Sequence, residues 1–457
     1  MENNIILMTD SYKVTHWHQY PPKTQYIYLY FESRGGQWDE IVFFGLQYIL
    51  KQYLVGKVVS KKKIEEAEKI FSKHFNNPAI FNKEGWLYIL REHAGKLPIV
   101  IKAVQEGTVV NNRNVLLTVE NTDPECFWLT SYIETVLSQI WYPCTIATQS
   151  REMKKTIRKY LKETGNPTMT ENKLVDFGYR GSSSHESASI GGAAHLVNFK
   201  TSENLAAIRL LRKYYNVEMP SHAVPANEHS TVISWGEKKE IGAYKNMLEK
   251  FTTGMIIIVC DSYDIFNACR KILGEQLSGD IKSHKGTIFL RPDSGNPINV
   301  IPQILRVLGD KFGYIKNEKG YKILPSYLRI IQGDGISYET IDKILKAIKS
   351  SGWSIDNIAL GSGGGLLQKV NRDTLKFVFN CSNVIIDGVS VDVFKDPIGS
   401  DKKSKSGRFA LVMKDGKLVT RQEKKVEFKS NKLKTVFKNG DLINNQSFEE
   451  IKNRAVI

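Results

Sequence analysis

The sequence has little cysteine and no long apolar run. Its five cysteines are scattered and odd in number, and no two of them form a CxxC pair. This pattern argues against a disulfide framework and a zinc site, and it predicts a reducing compartment. The longest apolar runs, such as Met255–Cys260, are far too short to cross a bilayer. The first residues carry neither a basic nor a long apolar segment, so we expect no signal peptide, no membrane partner and a cytoplasmic location.

Several catalytic signatures are missing as well. The sequence has no HxxxH or HExxH pair of metal-binding histidines, no GxSxG nucleophile elbow and no GxxxxGK[ST] phosphate loop. These absences disfavour a zinc enzyme, a serine hydrolase and a Walker-type NTPase. A net charge of +16 would suit either a nucleic-acid surface or a pocket for polyphosphate. Since no basic helix with interleaved aromatics stands out, we expect no nucleic-acid partner.

The middle of the chain alternates short apolar runs with helical patterns. Four runs, each suited to a buried strand, are Met255–Val259, Thr287–Leu290, Leu328–Ile331 and Ile355–Leu360. Strands that alternate with helices predict βαβ units around a parallel sheet, so we expect an α/β fold that contains an irregular α/β barrel. From about Lys376 onward short β-like runs dominate, and we expect this tail to join the N-terminal segment in a second domain.

These patterns predict two domains built from three segments. Residues 1–165 are expected to form the N-terminal part of an α+β domain, and residues 376–457 its C-terminal β-rich part. Residues 166–375 are expected to form the barrel that carries the site. A chain of 457 residues is long enough for two or three domains with cores of their own.

Polar or glycine-rich segments follow each of the four apolar runs. They are Cys260–Ser262, Arg291–Pro297, Gln332–Gly335 and Gly361–Gly365. Because the sites of α/β barrels are built at the carboxyl ends of the strands, we expect these segments to meet. Asp261, Asp293 and Asp334 would then share one rim, where carboxylates suit either Mg²⁺ or sugar hydroxyls.

The segment Leu174–Gly181, LVDFGYRG, ends an apolar run with aromatics, glycine and arginine. Phe177 and Tyr179 offer ring faces, and Arg180 offers a planar fork for phosphate or carboxylate. The alternative is an ordinary strand-to-helix turn.

Three other features suit phosphate chemistry, and each has a structural alternative. The glycines of Gly361–Gly365 let backbone N–H groups approach phosphate oxygens, although glycine clusters also mark flexible turns. Arg291 can bind phosphate and Asp293 can accept from ribose hydroxyls, or the two can form an ion pair that caps a turn. His229 can act as acid or base or bind phosphate, or it can be a hydrogen-bonded structural histidine.

Together these features predict a sugar-phosphate site with aromatics to hold a flat ring. Such a site suits a transferase or lyase acting on a phosphorylated sugar, and it also suits phosphoribosyl transfer. In that reaction the bond from the anomeric carbon to pyrophosphate breaks with oxocarbenium character, as in glycosides. Catalysis then consists mostly of positioning and of stabilising the charge of the leaving group.

Long motifs over nearly the whole chain resemble the type II phosphoribosyltransferases, and among them the nicotinamide phosphoribosyltransferase family. The motifs are TDSYKVTH, NTDPEC, DFGYRG, AHLVNFK, VPANEHST, RPDSGNP, QGDG, GSGGGLLQK, VFKDP and TVFKNG. The resemblance implies synthesis of nicotinamide mononucleotide and pyrophosphate from nicotinamide and phosphoribosyl pyrophosphate, a step of NAD salvage. It further implies Mg²⁺, optional ATP hydrolysis through phosphorylated His229, and a homodimer with active sites at the subunit interface.

The resemblance also implies roles for individual residues. Phe177 and Tyr12 of the partner subunit would stack on the two faces of nicotinamide. The expected phosphate contacts are Arg180, His229, Arg291, Lys395, Lys403 and Arg34 of the partner subunit. The expected ribose-phosphate site consists of Asp293, Gly333, Asp334, Gly364 and Arg372, with Asp261 beside it. His229, Arg291 and Asp293 are the expected catalytic residues, and substrate phosphates are expected to hold most of the Mg²⁺ coordination.

The chain departs from the family pattern at a few positions. Glu203, in FKTSE, stands where the family usually has an aspartate that reads the nicotinamide amide. Glutamate keeps an acceptor for the amide N–H and would repel the carboxylate of nicotinate. Ala223 replaces a usual serine and Asn380 a usual lysine. The alternatives are a nicotinate phosphoribosyltransferase and a nucleic-acid-binding or regulatory protein that keeps the fold without turnover.

Overall fold

The structure is a computed structural model that describes residues 3–399 and 402–456. It confirms the predicted α/β class, with a parallel sheet and a larger antiparallel sheet. No helix in the described part of the chain combines the length and apolar character that a membrane crossing requires.

Contacts divide the chain into two units. The terminal unit contains the chain up to Thr148, the segment Lys213–Val217 and the chain from Val370 to Val456. The central unit contains Gln149–Arg212 and Glu218–Lys369. The domain limits predicted at residues 165 and 375 stay predictions.

An antiparallel sheet of seven strands forms the core of the terminal unit. In sheet order the strands are Val389–Asp392, Phe377–Ile386, Thr24–Ser33, Val115–Asn121, Ile99–Ala103, Lys434–Lys438 and Asp441–Leu442. Thr24–Ser33 pairs with Phe377–Ile386 on one side and with Val115–Asn121 on the other. Three strands from the N-terminal part of the chain therefore stand in the middle of the sheet, with two strands from the C-terminal part on each side. This order confirms the predicted β-rich domain built from both ends.

The terminal unit also contains helices, of which Leu129–Ser138 packs against this sheet. They are Leu46–Ile49 with the π-helical turn Leu50–Leu54, Lys61–His74, Lys83–Glu92, Leu129–Ser138, Phe448–Arg454 and the first turns of Trp141–Thr164. Ser60 caps one of them, because its side chain accepts a hydrogen bond from the N–H of Lys63. Ile64, Ala67 and Phe71 of that helix are buried, at the spacing of one helical face.

Two short antiparallel pairs complete the terminal unit. They are Glu40–Val42 with Val109–Asn111, and Phe409–Lys414 with Lys417–Gln422. Asp415 and Gly416 connect the second pair with φ angles of 50° and 73°. An Asp-Gly pair accepts this left-handed geometry, which tight hairpin turns require.

A curled parallel sheet of five strands forms the centre of the central unit. In sheet order the strands are Leu174–Asp176, Ile358–Ser362, Leu328–Gln332, Lys285–Arg291 and Thr253–Val259. Parallel bridges from Ser202 to Asp176 and from Ala226 to Ile257 extend its two edges. The sheet is thus a half-barrel, in agreement with the predicted irregular barrel.

The strand predicted at Ile355–Leu360 starts later in the structure than the sequence indicates. Ile355–Asn357 forms a 3-10 turn, and the strand starts only at Ile358. The turn forms because the Ser354 side chain accepts a hydrogen bond from the N–H of Asp356. Local capping therefore overrides the apolar pattern at this position.

The central unit also contains helices. They are His185–Leu196, Leu205–Tyr215 up to Arg212, His229–Ile233, Glu240–Lys250, Ile265–Asn267, the π-helical Ala268–Gln276, Ser278–Ser283, Pro297–Phe312, Tyr338–Ser350, Gly364–Leu367 and the later turns of Trp141–Thr164. A small antiparallel pair, Ile315–Lys316 with Lys322–Ile323, lies among them.

Both faces of the central sheet are buried. Val175, Ile257, Ile331 and Ala359 form one cluster, against which Phe177 packs. The alternate side chains Ile256, Ile258, Ile288, Leu290, Ile330 and Leu360 are buried as well. Burial on both faces explains why these strands are continuous apolar runs in the sequence.

Candidate active site

The carboxyl ends of the parallel strands border two cavities of the central unit. The glycine-loop cavity, of about 700 Å³, is lined mainly by Gly333–Gly335 and Gly363–Gly365. The Glu203 cavity, of about 570 Å³, is lined by residues that include Glu203, Ile257 and residues 226–228. Phe177, Arg180 and Arg291 line both cavities and share their boundary.

The ring of Phe177 is held in place by its neighbours. Its backbone N–H donates to the carbonyl of Ser362, 3.0 Å away. A Cβ atom on Gly361 would lie 2.1 Å from the ring, so only glycine leaves room for the ring in this position. The guanidinium carbon of Arg291 lies 5.3 Å from the ring centroid, within the range of a cation–π contact.

Arg291 and Asp293 form an ion pair, which was one of the two alternatives that the sequence predicted for them. The Nη2 atom of Arg291 lies 3.0 Å from each carboxylate oxygen of Asp293. A Cβ atom on Gly333 would lie 2.7 Å from Asp293 and 2.9 Å from Arg291, so the pair needs glycine beside it. Both side chains line the glycine-loop cavity, so a positive guanidinium and a carboxylate acceptor stand side by side at its wall.

Asp261 connects His229 to this pair. One carboxylate oxygen of Asp261 lies 3.0 Å from Nε2 of His229, and the other accepts the backbone N–H of Asp293 at 2.8 Å. The Asp261 side chain is 2% exposed, whereas that of His229 is 44% exposed. A proton on Nε2 that faces Asp261 leaves the lone pair on Nδ1, as a nucleophilic or basic histidine requires.

Asp176 anchors the turn that carries Phe177. The carboxylate is fully buried and accepts hydrogen bonds from the backbone N–H of Gly178 and from the side chains of Ser202 and Asn204. Burial raises the pKa of Asp176, and these hydrogen bonds lower it in part. The backbone N–H of Glu203 donates to the Asp176 carbonyl at 3.1 Å.

Glu203 brings an acidic group to its cavity. Desolvation by burial raises the pKa of this carboxyl, and the charge of Arg291 opposes the increase. Ile257 lines the same cavity and belongs to the apolar cluster of the central sheet. The cavity therefore offers an aromatic ring, an apolar wall and a carboxyl, which together suit a flat heteroaromatic amide.

Backbone groups shape the glycine-loop cavity. A Cβ atom on Gly365 would lie 2.6 Å from the carbonyl of Ile336, whereas Gly364 faces open space. Helix Tyr338–Ser350 begins at this cavity, with Ser337 as its N-cap. An open glycine loop beside a helix N-terminus favours phosphate oxygens.

The structure thus brings together most of the predicted site residues, all within the central unit. They are Phe177, Arg180, Glu203, His229, Asp261, Arg291, Asp293, Gly333, Asp334 and Gly364. Their roles stay predictions.

Five predicted residues belong to the terminal unit. They are Tyr12, Arg34, Arg372, Lys395 and Lys403. Tyr12 is 60% exposed, and Lys403 forms an ion pair of 2.6 Å with Asp396. Their part in the site also stays a prediction.

Three residues have roles in the site that the sequence did not predict, although each lies in a segment that was expected at the site. They are Asp176, which joins two segments, Gly361, which makes room for Phe177, and Gln332, whose side chain donates to the Asp334 carbonyl at 2.9 Å. A signal existed for Asp176, because an aspartate that ends an apolar strand before Phe-Gly is a polar residue in a buried position.

Residues 172–441 match the profile of the nicotinate phosphoribosyltransferase (NAPRTase) family, and residues 4–101 match that of the nicotinamide phosphoribosyltransferase N-terminal domain. A nicotinamide phosphoribosyltransferase of Xanthomonas campestris pv. campestris is 43% identical over 99% of this chain and 98% of its own length. One of Acinetobacter baylyi is 30% identical over 97% of this chain and 95% of its own length.

Solved structures share the fold. Nicotinate-nucleotide pyrophosphorylase from Pyrococcus furiosus superposes with a TM-score of 0.62 at 16% identity, covering 100% of this chain and 95% of that protein. Human nicotinic acid phosphoribosyltransferase gives a TM-score of 0.54 at 16% identity, covering 98% of this chain and 93% of that protein. At such identity the likeness concerns the fold alone.

Proposed function

The chain belongs to the nicotinate phosphoribosyltransferase family, and we propose that it is a nicotinamide phosphoribosyltransferase of NAD salvage. In the proposed reaction the bond between the ribose anomeric carbon and pyrophosphate breaks, and a bond forms from that carbon to the ring nitrogen of nicotinamide. The products are nicotinamide mononucleotide and pyrophosphate. The observation that carries the proposal is the ring of Phe177 at the boundary of the two cavities, beside the Arg291–Asp293 pair.

The Glu203 cavity is the proposed site of the base. Phe177 would stack on the pyridine ring, and Glu203 would accept a hydrogen bond from the carboxamide N–H. Tyr12 of the partner subunit would cover the second face of the ring. A negative Glu203 would repel nicotinate, which is why we favour nicotinamide over nicotinate as substrate.

The glycine-loop cavity is the proposed site of the phosphoribosyl group. The backbone of Gly364 and the side chains of Arg180 and Arg291 would bind phosphate, while Asp293 and Asp334 would accept from ribose hydroxyls. The remaining proposed contacts in the terminal unit are Arg372, Lys395, Lys403 and Arg34 of the partner subunit. Fixed cations would stabilise the charge that develops on pyrophosphate as the anomeric bond breaks.

The donor set fits Mg²⁺ that is held largely by substrate phosphates. Asp261 already accepts from the backbone of Asp293 and pairs with His229, and Arg291 balances the charge of the Asp293 carboxylate. Asp334 lines the cavity and would supply a carboxylate oxygen. When bound, Mg²⁺ would neutralise part of the pyrophosphate charge.

We also propose ATP as an optional co-substrate. The lone pair on Nδ1 of His229 would attack the γ-phosphorus, the bond to ADP would break, and water would later release phosphate from the histidine. Asp261 would hold the Nε2 proton and stabilise the developing positive charge on the ring. We expect His229→Ala to abolish the increase in rate on adding ATP, measured as the ratio of rates with and without ATP. A ratio equal to that of the wild type would refute this role.

A homodimer with active sites at the subunit interface and a cytoplasmic location complete the proposal. Both follow from the family resemblance and from the partner-subunit roles of Tyr12 and Arg34. Sedimentation of the purified protein tests the homodimer. We expect a species with twice the mass of one chain.

The decisive experiment supplies phosphoribosyl pyrophosphate and Mg²⁺ with nicotinamide, nicotinate or quinolinate, and identifies the mononucleotide formed. We expect nicotinamide mononucleotide. Formation of nicotinate mononucleotide alone would instead support the alternative, a nicotinate phosphoribosyltransferase, the activity after which the matching family profile is named. No product, together with salt-sensitive binding of DNA or RNA, would favour the non-catalytic alternative.

A further inference from the structure

Asp176 is a buried carboxylate that joins two separate segments of the central unit. One oxygen accepts the backbone N–H of Gly178 at 2.7 Å, inside the turn that carries Phe177. The other accepts from Ser202 at 3.3 Å and from Asn204 at 3.1 Å, in the segment that carries Glu203. The two oxygens thus divide their partners between two walls of the Glu203 cavity.

Other hydrogen bonds fix the orientation of the Asn204 side-chain amide. Its Nδ2 group also donates to the carbonyl of Ala188 at 2.8 Å, and its Oδ1 atom accepts the backbone N–H of Ala207. Flipping the amide would break both bonds. A Cβ atom on Gly192 would lie 2.6 Å from Nδ2 of Asn204 and 2.8 Å from Asp176, so the surrounding backbone is packed closely. The Nδ2 donor of Asn204 therefore points at residue 176, which must supply a hydrogen-bond acceptor.

We infer that Asp176 is a positioning residue for the base, an inference that rests on the proposed function. By holding the Phe177 turn and the Glu203 segment together, it sets the separation between the stacking ring and the carboxyl that reads the amide. The phosphoribosyl site has anchors of its own, namely the Arg291–Asp293 pair and the glycine loop Gly363–Gly365. Loss of the junction should therefore affect nicotinamide more than phosphoribosyl pyrophosphate.

The variant Asp176→Asn tests this inference. Asparagine has one acceptor and one donor, so it can serve Gly178 or Asn204 but not both. We expect the KM for nicotinamide to rise about tenfold, as loss of a charged hydrogen bond allows, with a much smaller change in the KM for phosphoribosyl pyrophosphate. A merely structural role would lower stability and the active fraction but would leave both KM values unchanged.

A second substitution provides a rescue. Asn204→Asp alone places two buried carboxylates together and should raise the KM for nicotinamide. In the Asp176→Asn background the same change restores a donor–acceptor pair between residues 176 and 204 and keeps the acceptor for Ala207. Because the donor to the Ala188 carbonyl is lost in both backgrounds, it should lower that KM again only in part. Asp356→Asn is a matched control. Asp356 also joins two segments, through Asn166 and Ser354, but it precedes the amino end of strand Ile358–Ser362.

The outcomes separate this inference from the proposed function. If the wild-type protein forms no nicotinamide mononucleotide, the proposed function fails. If the wild type is active, equal changes in both KM values for Asp176→Asn, or the same effect of Asn204→Asp in both backgrounds, would overturn the inference. An Asp356→Asn variant with a raised KM for nicotinamide would overturn it too.

Discussion

The contact between Gly361 and Phe177 offers the sharpest test of the base site. In Gly361→Ala the new Cβ atom would lie 2.1 Å from the nearest ring carbon and 2.3 Å from the next. Ordinary contact begins at 3.4 Å, so the ring must retreat by about 1.3 Å. Gly361 is buried in strand Ile358–Ser362, which leaves the backbone little freedom to yield instead.

Two consequences can be measured. Overpacking of this kind costs about 1–3 kcal/mol, so we expect the free energy of unfolding in urea to fall by that amount. A displaced ring would lose stacking worth about 0.5–1.5 kcal/mol, which corresponds to a rise of about two- to twelvefold in the KM for nicotinamide. Steady-state kinetics with saturating phosphoribosyl pyrophosphate would give that KM.

Removing the ring supplies the control. In a Phe177→Ala background the clash is absent, so Gly361→Ala should cost almost nothing in stability and should not raise the KM further. Gly279→Ala, in helix Ser278–Ser283, meets no atom within 4 Å and should not destabilise the protein. Equal stability losses from Gly361→Ala in both backgrounds, or an unchanged KM for nicotinamide, would refute the reasoning.

Two further predictions concern pH. Because burial raises the pKa of Glu203, lowering the pH from about 8 to about 5 should protonate part of this carboxyl and weaken its repulsion of nicotinate. Competition assays should then show a smaller preference for nicotinamide at the lower pH. A preference that does not change with pH would contradict this. Burial also raises the pKa of Glu106, so its contribution to stability is present below its unfolded pKa and is lost as pH rises through the folded pKa. Glu106→Gln should remove this loss of stability at higher pH. In urea unfolding, the free energy of unfolding of the variant minus that of the wild type should therefore increase from about pH 5 to about pH 8. A difference that stays constant with pH would refute the prediction.

Much of the site could be predicted because its residues follow buried strands. Runs such as Thr287–Leu290 are apolar on both faces, and parallel strands share one carboxyl edge, so the polar segments after them must meet. The apolar pattern alone therefore predicts Asp261, Asp293 and Gly364 at one edge of the sheet. The same pattern misleads at Ile355, where capping by Ser354 competes with the strand and the apolar run carries no sign of that competition.

The links among these residues could not be predicted from local patterns. Asp261 pairs with a histidine and a backbone amide that are each 32 positions away, and Asp176 binds a side chain 28 positions away. Propensity and periodicity describe neighbours within a few residues, whereas hydrogen bonds across loops depend on where the sheet carries them. Gly361 illustrates the same limit, because nothing near it in the sequence shows that it must leave room for Phe177.

Residue types and short-range patterns are enough to predict the available chemistry: a parallel α/β core, glycine-rich strand ends, and the arginine, aspartate, histidine and aromatic groups of a phosphoribosyl site. Those properties depend on residue type and short-range pattern, which the chain carries locally. The arrangement of these groups follows from the fold, which places Phe177 between two cavities, brings Asp261 against His229 and lets Asp176 join the two walls of the Glu203 cavity. These pairings depend on the curl of the sheet, which brings strand ends and loops together from distant parts of the central unit.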